Sequence, residues 1–183
     1  MIEVTFYGRG GQGSVVGARM LAYAAVVEGK YGQQSQAPVG ERRGSPVAGW
    51  VRIDDNKIRL RAPIISPDYL LVLDPMMVYT EDIEASLKDN SVVILNSPKD
   101  VELKHKTVCV DATSIALKHL GRPLVNTAML GAFSAITGVV SLTSIGKVLP
   151  DLLGRKLLEG EIVKNNMAAL EETFEEVKKK WQC

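Results

Sequence analysis

The chain has 183 residues, 46% apolar and 23% charged, with a formal net charge of +1 at pH 7; these are the proportions of a globular protein, and one domain over residues 1–183 is the expectation. So balanced a charge builds no field that would recruit nucleic acid or an anionic membrane surface, and neither partner is expected. The two cysteines, Cys109 and Cys183, stand outside any CxxC or metal-ligand spacing with His105 or His119, which argues against a structural zinc site or an iron–sulfur cluster on this chain.

Met1-Ile2-Glu3-Val4 opens without a basic or an apolar leader region, so no export signal is expected and the cytoplasm is the expected address. Ile2 to Tyr7 is β-branched or aromatic with loose alternation, a strand ending at Gly8. Ser14 to Glu28 is apolar almost all round and rich in small residues, as a helix packed closely on a sheet would be. Tyr31 to Pro46 is polar and broken by glycine and proline, hence extended or looped, with a short strand near Gln33 to Ala37. Val47 to Ile53 and Lys57 to Arg61 alternate on either side of Asp54-Asp55-Asn56 and predict a β-hairpin.

Tyr69 to Asp74, Ser91 to Leu95 and Thr107 to Val110 are continuous apolar runs, the pattern of strands covered on both faces of a parallel sheet. Thr80 is expected to cap a helix that carries Glu81 and Asp82 in its first turn. Asp111 or Thr113 caps another, which Gly121 and Pro123 end. Ala128 to Val140 is interrupted by Gly131, Ser134, Thr137 and Gly138; it reads as a buried helix and not as a membrane span. From Glu161 to Trp181 a stripe of Val163, Met167, Leu170, Phe174, Val177 and Trp181 marks an amphipathic helix that packs on the domain or forms an oligomer seam. The class is α/β: a single doubly wound, mostly parallel sheet with a glycine-rich first βα turn and an added β-hairpin.

Gly8-Arg9-Gly10-Gly11-Gln12-Gly13 fits GxGxxG between the first strand and the first helix. Glycine lets the backbone approach a ligand, and free amides at a helix start favour an anion, to which Arg9 adds a guanidinium. A dinucleotide site also needs an acid about twenty residues further on. Lys30, Gln33, Gln34, Ser35 and Gln36 occupy that region, so the ribose-binding half of the fingerprint is missing, and Arg42 and Arg43 lie too far along for the usual NADP position. The same turn also serves plain strand–helix packing.

Three stretches together carry a resemblance: Gly8 to Gly13, then Gly40-Glu41-Arg42-Arg43-Gly44-Ser45-Pro46-Val47, then Asn126-Thr127-Ala128-Met129-Leu130-Gly131-Ala132. In order and spacing they resemble the signature stretches of the gamma subunit of 2-oxoacid:ferredoxin oxidoreductases, on the pyruvate and 2-ketoisovalerate side. The chain departs from the pyruvate pattern at Ser35-Gln36-Ala37-Pro38-Val39, which leaves the particular oxoacid open. The resemblance implies a complex that oxidatively decarboxylates a 2-oxoacid with coenzyme A and reduces ferredoxin. It also implies thiamine diphosphate, Mg2+ and [4Fe-4S] clusters in that complex, and alpha, beta and delta companion subunits. This sequence has no GDG-headed thiamine-diphosphate motif and no ferredoxin-like cysteine run, so the isolated chain is expected to be inactive and no residue is assigned as catalytic. By the resemblance, Gly8, Arg9, Gly10, Gly11, Gln12, Gly13, Asn126, Thr127 and Met129 are the candidate coenzyme contacts. Glu41, Arg42, Arg43 and Gly44 are candidates for a substrate or interface role, against the plainer reading of a solvated turn. Alternatives are a stand-alone NAD(P)-binding Rossmann oxidoreductase, an indolepyruvate-type subunit, or a scaffold whose turn binds nothing.

Lys57, Arg59 and Arg61 share one face of their predicted strand, with Arg52 beside them; they either protect a sheet edge or form a docking strip for an acidic partner. Asp74, Asn96 and Asp111 end apolar strands, where α/β sheets bind ligands and where helices are also capped. His105 and His119 read as surface residues without a catalytic acid or nucleophile.

Overall fold

The computed structural model describes residues 1–37, 44–153 and 159–181; Glu41, Arg42, Arg43 and Cys183 lie outside the described residues. β1 (Ile2–Arg9) runs through the glycine turn into α1 (Ser14–Val27). There follow β2 (Tyr31–Gln36), β3 (Pro46–Asp54), β4 (Tyr69–Val72), the short α2 (Met77–Thr80), β5 (Val92–Asn96) and β6 (Lys106–Val110). The chain ends in α3 (Ala112–Leu120), α4 (Asn126–Thr137), α5 (Leu142–Leu153) and α6 (Glu159–Trp181). Six strands form one sheet in the order β2-β3-β1-β4-β5-β6. β1, β4, β5 and β6 are parallel, and β3 is antiparallel to both β1 and β2.

The α/β class and the mostly parallel sheet follow from the apolar runs, whose alternate side chains enter two different cores. On one face Val4, Phe6, Leu71, Ile94 and Val110 meet α1, α4 and α6. On the other, Leu70, Val72, Val93 and Leu95 meet Met77, Ile83 and Leu87. The chain thus winds over both faces, but the long helices all cover the first and only α2 with irregular segments covers the second. That second cover extends over β4 to β6 and leaves the opposite end of the sheet thinly protected.

The added hairpin exists, but its strands are β2 and β3. Lys57 to Arg61 forms no strand, because both edges of β3 are already occupied by β1 and β2. Arg52 is correspondingly not part of a surface strip: it is 2% exposed and its Nε donates to Glu3 Oε1 at 2.9 Å. Thr80 does not cap a helix over Glu81 and Asp82. It ends α2, where its hydroxyl donates to the Met76 carbonyl and accepts from Arg9 Nη2, and no helix begins at Glu81 or Asp82. Asp111 does cap α3, accepting from the Ser114 amide, and Gly121 closes that helix in the left-handed conformation.

α6 packs its stripe inward. Leu170 and Val177 are fully buried, and Val163, Met167 and Trp181 pack against the same core; full burial of such a side chain is worth about 1.5–3 kcal/mol. Glu172 ties α6 to α3, accepting from Lys118 Nζ at 2.7 Å and pairing with His119 Nε2 at 2.6 Å. These hydrogen bonds hold its carboxyl below the ordinary 4.5. With the folded value under the unfolded one, the contribution is fully present above the unfolded value and disappears as pH falls through the folded one. Glu172→Gln is therefore expected to lower stability at pH 7, by no more than about 1 kcal/mol because water screens the pair. Thermal melts of variant and wild type should converge as the pH drops below 4.5. Among the described residues, no helix is long and apolar enough to cross a membrane.

Candidate functional site

β1 and α1 leave the sheet toward β2, whereas the chain after β4 leaves toward β5 on the opposite face. The crevice between the ends of β1 and β4 is thus a topological switch point, where open α/β sheets bind their ligands. Arg9, the last residue of β1, reaches across it. Its Nε donates to Asp74 Oδ2 at 3.0 Å, and its Nη atoms reach the Gly44 carbonyl and Thr80 Oγ1, each at 3.3 Å. Asp74 is fixed from behind, since its other oxygen accepts from the Met76 amide at 2.9 Å.

Gln12 completes this cluster. Its Oε1 accepts from the Arg9 amide at 2.7 Å and its Nε2 donates to Asp74 Oδ2 at 3.2 Å. The Gly10 amide donates to the Ser45 carbonyl and the Gln12 amide to the Arg9 carbonyl. Three amides of the turn are therefore satisfied by the protein itself. The amides of Gly11 and Gly13 have no partner among the described residues. Gly11, at φ +99°, has open space where a side chain would project, so a ligand can approach its backbone directly.

The start of α1 is left positive. Gly13 is its N-cap, no side chain caps it, and its first turn holds no acid, so the helix dipole and the unpaired amides face outward uncompensated. Ser14, the first helical residue, is 2% exposed, and its Oγ has no hydrogen-bond partner among the described residues. That oxygen lies 2.7 Å from where a Cβ on Gly8 would stand. Two free amides, an unpaired hydroxyl and a guanidinium form a donor set suited to a phosphate or carboxylate.

The three sequence stretches converge here. Gly44 and Ser45 exchange backbone hydrogen bonds with Gly10. Asn126 lies against the turn, its Nδ2 only 2.8 Å from where a Cβ on Gly13 would be. Thr127 and Met129 do not join it: both are fully buried, and Thr127 Oγ1 faces Met20 Sδ. Helix periodicity turns the side chains of these two from the turn toward the core. The sequence alone missed Asp74 and Thr80 as partners of Arg9, each more than sixty positions away along the chain.

The other candidates are structural ties. Asn96 donates to the Leu73 carbonyl and Thr113 Oγ1 and accepts from the Thr113 amide; Asp111 is the cap already described. His105 has an acid partner that sequence spacing did not reveal, Glu84, at 2.8 Å. Burial would raise the Glu84 carboxyl, but the hydrogen bonds from His105 outweigh it and hold the group below its ordinary value.

A nicotinamide or flavin dinucleotide does not suit this topology. In a dinucleotide unit the strand after the first helix lies beside the first strand and carries the ribose-binding acid at its end. Here β3 stands between β1 and β2, and β2 ends at Gln36.

The model of the family "Pyruvate ferredoxin/flavodoxin oxidoreductase" matches residues 3–176. The chain is 43% identical over 182 residues to pyruvate synthase subunit PorC of Methanocaldococcus jannaschii, covering 99% of both chains. It is 44% identical over 183 residues to the pyruvate/ketoisovalerate oxidoreductases common subunit gamma of Thermococcus litoralis, covering 96% of both. The crystal structure of pyruvate oxidoreductase subunit PORC from Thermotoga maritima superposes with a TM-score of 0.80 at 32% identity, over 95% of each chain. A 2-oxoglutarate:ferredoxin oxidoreductase from Magnetococcus marinus, solved with 2-oxoglutarate, coenzyme A and succinyl-CoA bound, has a TM-score of 0.78. At 17% identity it shows the fold alone, and the match covers 98% of this chain but 31% of that one. The stand-alone NAD(P) oxidoreductase and the indolepyruvate-type reading find no support among these relatives, and the chain belongs to the pyruvate ferredoxin/flavodoxin oxidoreductase family.

Proposed function

We propose that this chain works as the gamma subunit of a 2-oxoacid:ferredoxin oxidoreductase complex and that its glycine turn holds a phosphate group of coenzyme A. The observation that carries the second part is the turn itself: unpartnered Gly11 and Gly13 amides and the Ser14 hydroxyl at an uncapped helix start, beside a guanidinium that Asp74 holds in place at 3.0 Å. Arg9 keeps its position by pairing with Asp74, so it meets an incoming anion already oriented and loses little side-chain freedom on binding. Gly44 joins the floor of the site through its carbonyl, and the neighbouring Glu41, Arg42 and Arg43 are proposed to face substrate or a companion subunit.

In this reading thiamine diphosphate, with Mg2+, supplies the carbanion chemistry and [4Fe-4S] clusters the electron path, all on alpha, beta and delta companion chains in the cytoplasm. This chain binds and orients the acyl acceptor. Arg9→Gln removes the guanidinium while keeping a shorter polar side chain that ends where the Arg9 Nε lies. Isothermal calorimetry is expected to show coenzyme A bound about tenfold or more weakly by the variant, the scale of a lost charge-assisted hydrogen bond. Unchanged affinity would remove Arg9 from the site.

A further inference from the structure

The end of the sheet that α2 leaves uncovered holds a cleft of about 250 Å³, lined by Thr5 and Tyr7 of β1, Trp50 of β3, Ile64 and Ile65 of the following segment, and, on its far side, Leu87 with one carboxylate, Asp82. The apolar lining suits an apolar side chain, and Asp82 keeps an occupant's acidic groups outside the cleft, toward the cationic segment. At its floor Thr5 is 6% exposed and its Oγ1 has no hydrogen-bond partner among the described residues. A buried hydroxyl left unpaired costs about 1–3 kcal/mol, so a group that enters the cleft and bonds to it recovers what the free chain forgoes. Ile65, which lines the cleft, is 73% exposed, and Leu60, in the segment that leads to it, is 46% exposed.

The segment leading into that rim, Lys57-Ile58-Arg59-Leu60-Arg61, is cationic. Lys57, Arg59 and Arg61 are exposed, and no carboxylate pairs with any of them among the described residues. They form no strand, so they protect no sheet edge. Three unpaired cations interleaved with half-buried Ile58 and exposed Leu60, in the segment that leads into the cleft's lining residues Ile64 and Ile65, match an occupant of opposite charge.

We propose that this face receives an extended, acidic segment of a companion subunit. It places an apolar side chain in the cleft, gives a hydrogen bond to Thr5 Oγ1 and sets its carboxylates against Lys57, Arg59 and Arg61. A second copy of this chain fits less well, because it brings the same cationic strip to the interface. The proposal rests on the chain's being a subunit of a complex, and not on what its glycine turn binds.

The test measures binding of the purified full chain to the remainder of its complex, by biolayer interferometry across a range of salt. Ile65→Asp and the double variant Arg59→Glu/Arg61→Glu change only exposed side chains, and each is expected to weaken binding about tenfold or more. The wild-type affinity should fall with salt and the double variant's should fall less. Thr5→Val removes the unpaired hydroxyl and is expected to raise the melting temperature of the free chain while weakening assembly, a combination that a purely structural role would not produce. Wild-type affinity in both Ile65→Asp and Arg59→Glu/Arg61→Glu would overturn the proposal. So would a wild-type dimer in sedimentation that Ile65→Asp dissociates, which would make a second copy the occupant. Calorimetry with coenzyme A on the same variants should be unchanged, which keeps this outcome separate from that of the glycine turn.

Discussion

Gly131→Val is expected to destabilise the protein by about 3 kcal/mol or more, at the upper end of the usual cost of overpacking. Gly131 sits in α4 where that helix crosses α6, and a Cβ there would stand 2.2 Å from the Leu170 carbonyl oxygen and 3.2 Å from the Phe174 amide nitrogen. Both obstacles are backbone atoms on the inward face of α6, so no rotamer change makes room and the two helices must move apart. Separation would open voids around Met129, Phe133, Leu170 and Val177, all fully buried, and lost contacts in a dense interior are not regained by partial relaxation. Gly160→Ala provides the contrast. Among the described residues nothing lies within 4 Å of a Cβ at Gly160, and it lies in the first turn of α6, so alanine should stabilise by up to about 0.5 kcal/mol, less than the helix-interior value. Urea denaturation of the two variants measures both signs; a Gly131→Val protein as stable as wild type would mean that α4 and α6 do not pack this closely.

Glu3→Ala should cost about 3–5 kcal/mol, the range for breaking a buried ion pair by removing one partner. Arg52 is 2% exposed, and Glu3 provides its carboxylate at 2.9 Å. Its other contact is a long one, from Nη2 to the Pro63 carbonyl at 3.5 Å. Without Glu3 the guanidinium stays buried with its charge uncompensated. Lys88 would lose a secondary partner at 3.7 Å but would keep Asp68 at 2.7 Å, so the penalty falls on Arg52. The double variant Glu3→Leu/Arg52→Met replaces the pair with apolar groups and should recover most of the loss, because the desolvation of two charges disappears along with their attraction. Denaturant melts of the single and double variants form the test. A double variant as unstable as Glu3→Ala would show that the side chains matter here for their shape and not for their charge.

Those elements whose signal is local were legible in the sequence. The strand, glycine turn and helix at the N-terminus, the capping of α3 by Asp111 and the inward stripe of α6 each depend on neighbours a few residues away. What depends on pairing across the chain was not. Lys57 to Arg61 alternates as a strand does, but alternation records exposure and cannot tell whether a sheet edge is available; β1 and β2 had taken both edges of β3. Thr80 and Glu81 look like the start of a helix until Arg9 and the Met76 carbonyl engage the threonine hydroxyl. The glycine turn itself was plain, yet which of its amides stay open is decided by Ser45, just before β3, and by Gln12, whose side chain Asp74 holds from just beyond β4. Those contacts show that part of the turn is internally satisfied, so the surface open to a ligand is narrower than six consecutive motif residues suggest.

Titrating the isolated chain with coenzyme A while following its backbone amide resonances shows whether the open amides of the turn hold a phosphate-bearing ligand. Saturable shifts are expected, largest at Gly11 and Gly13, with Arg9 affected beside them. Saturable binding that leaves those two resonances in place, or no binding at all, would contradict a phosphate site in the turn.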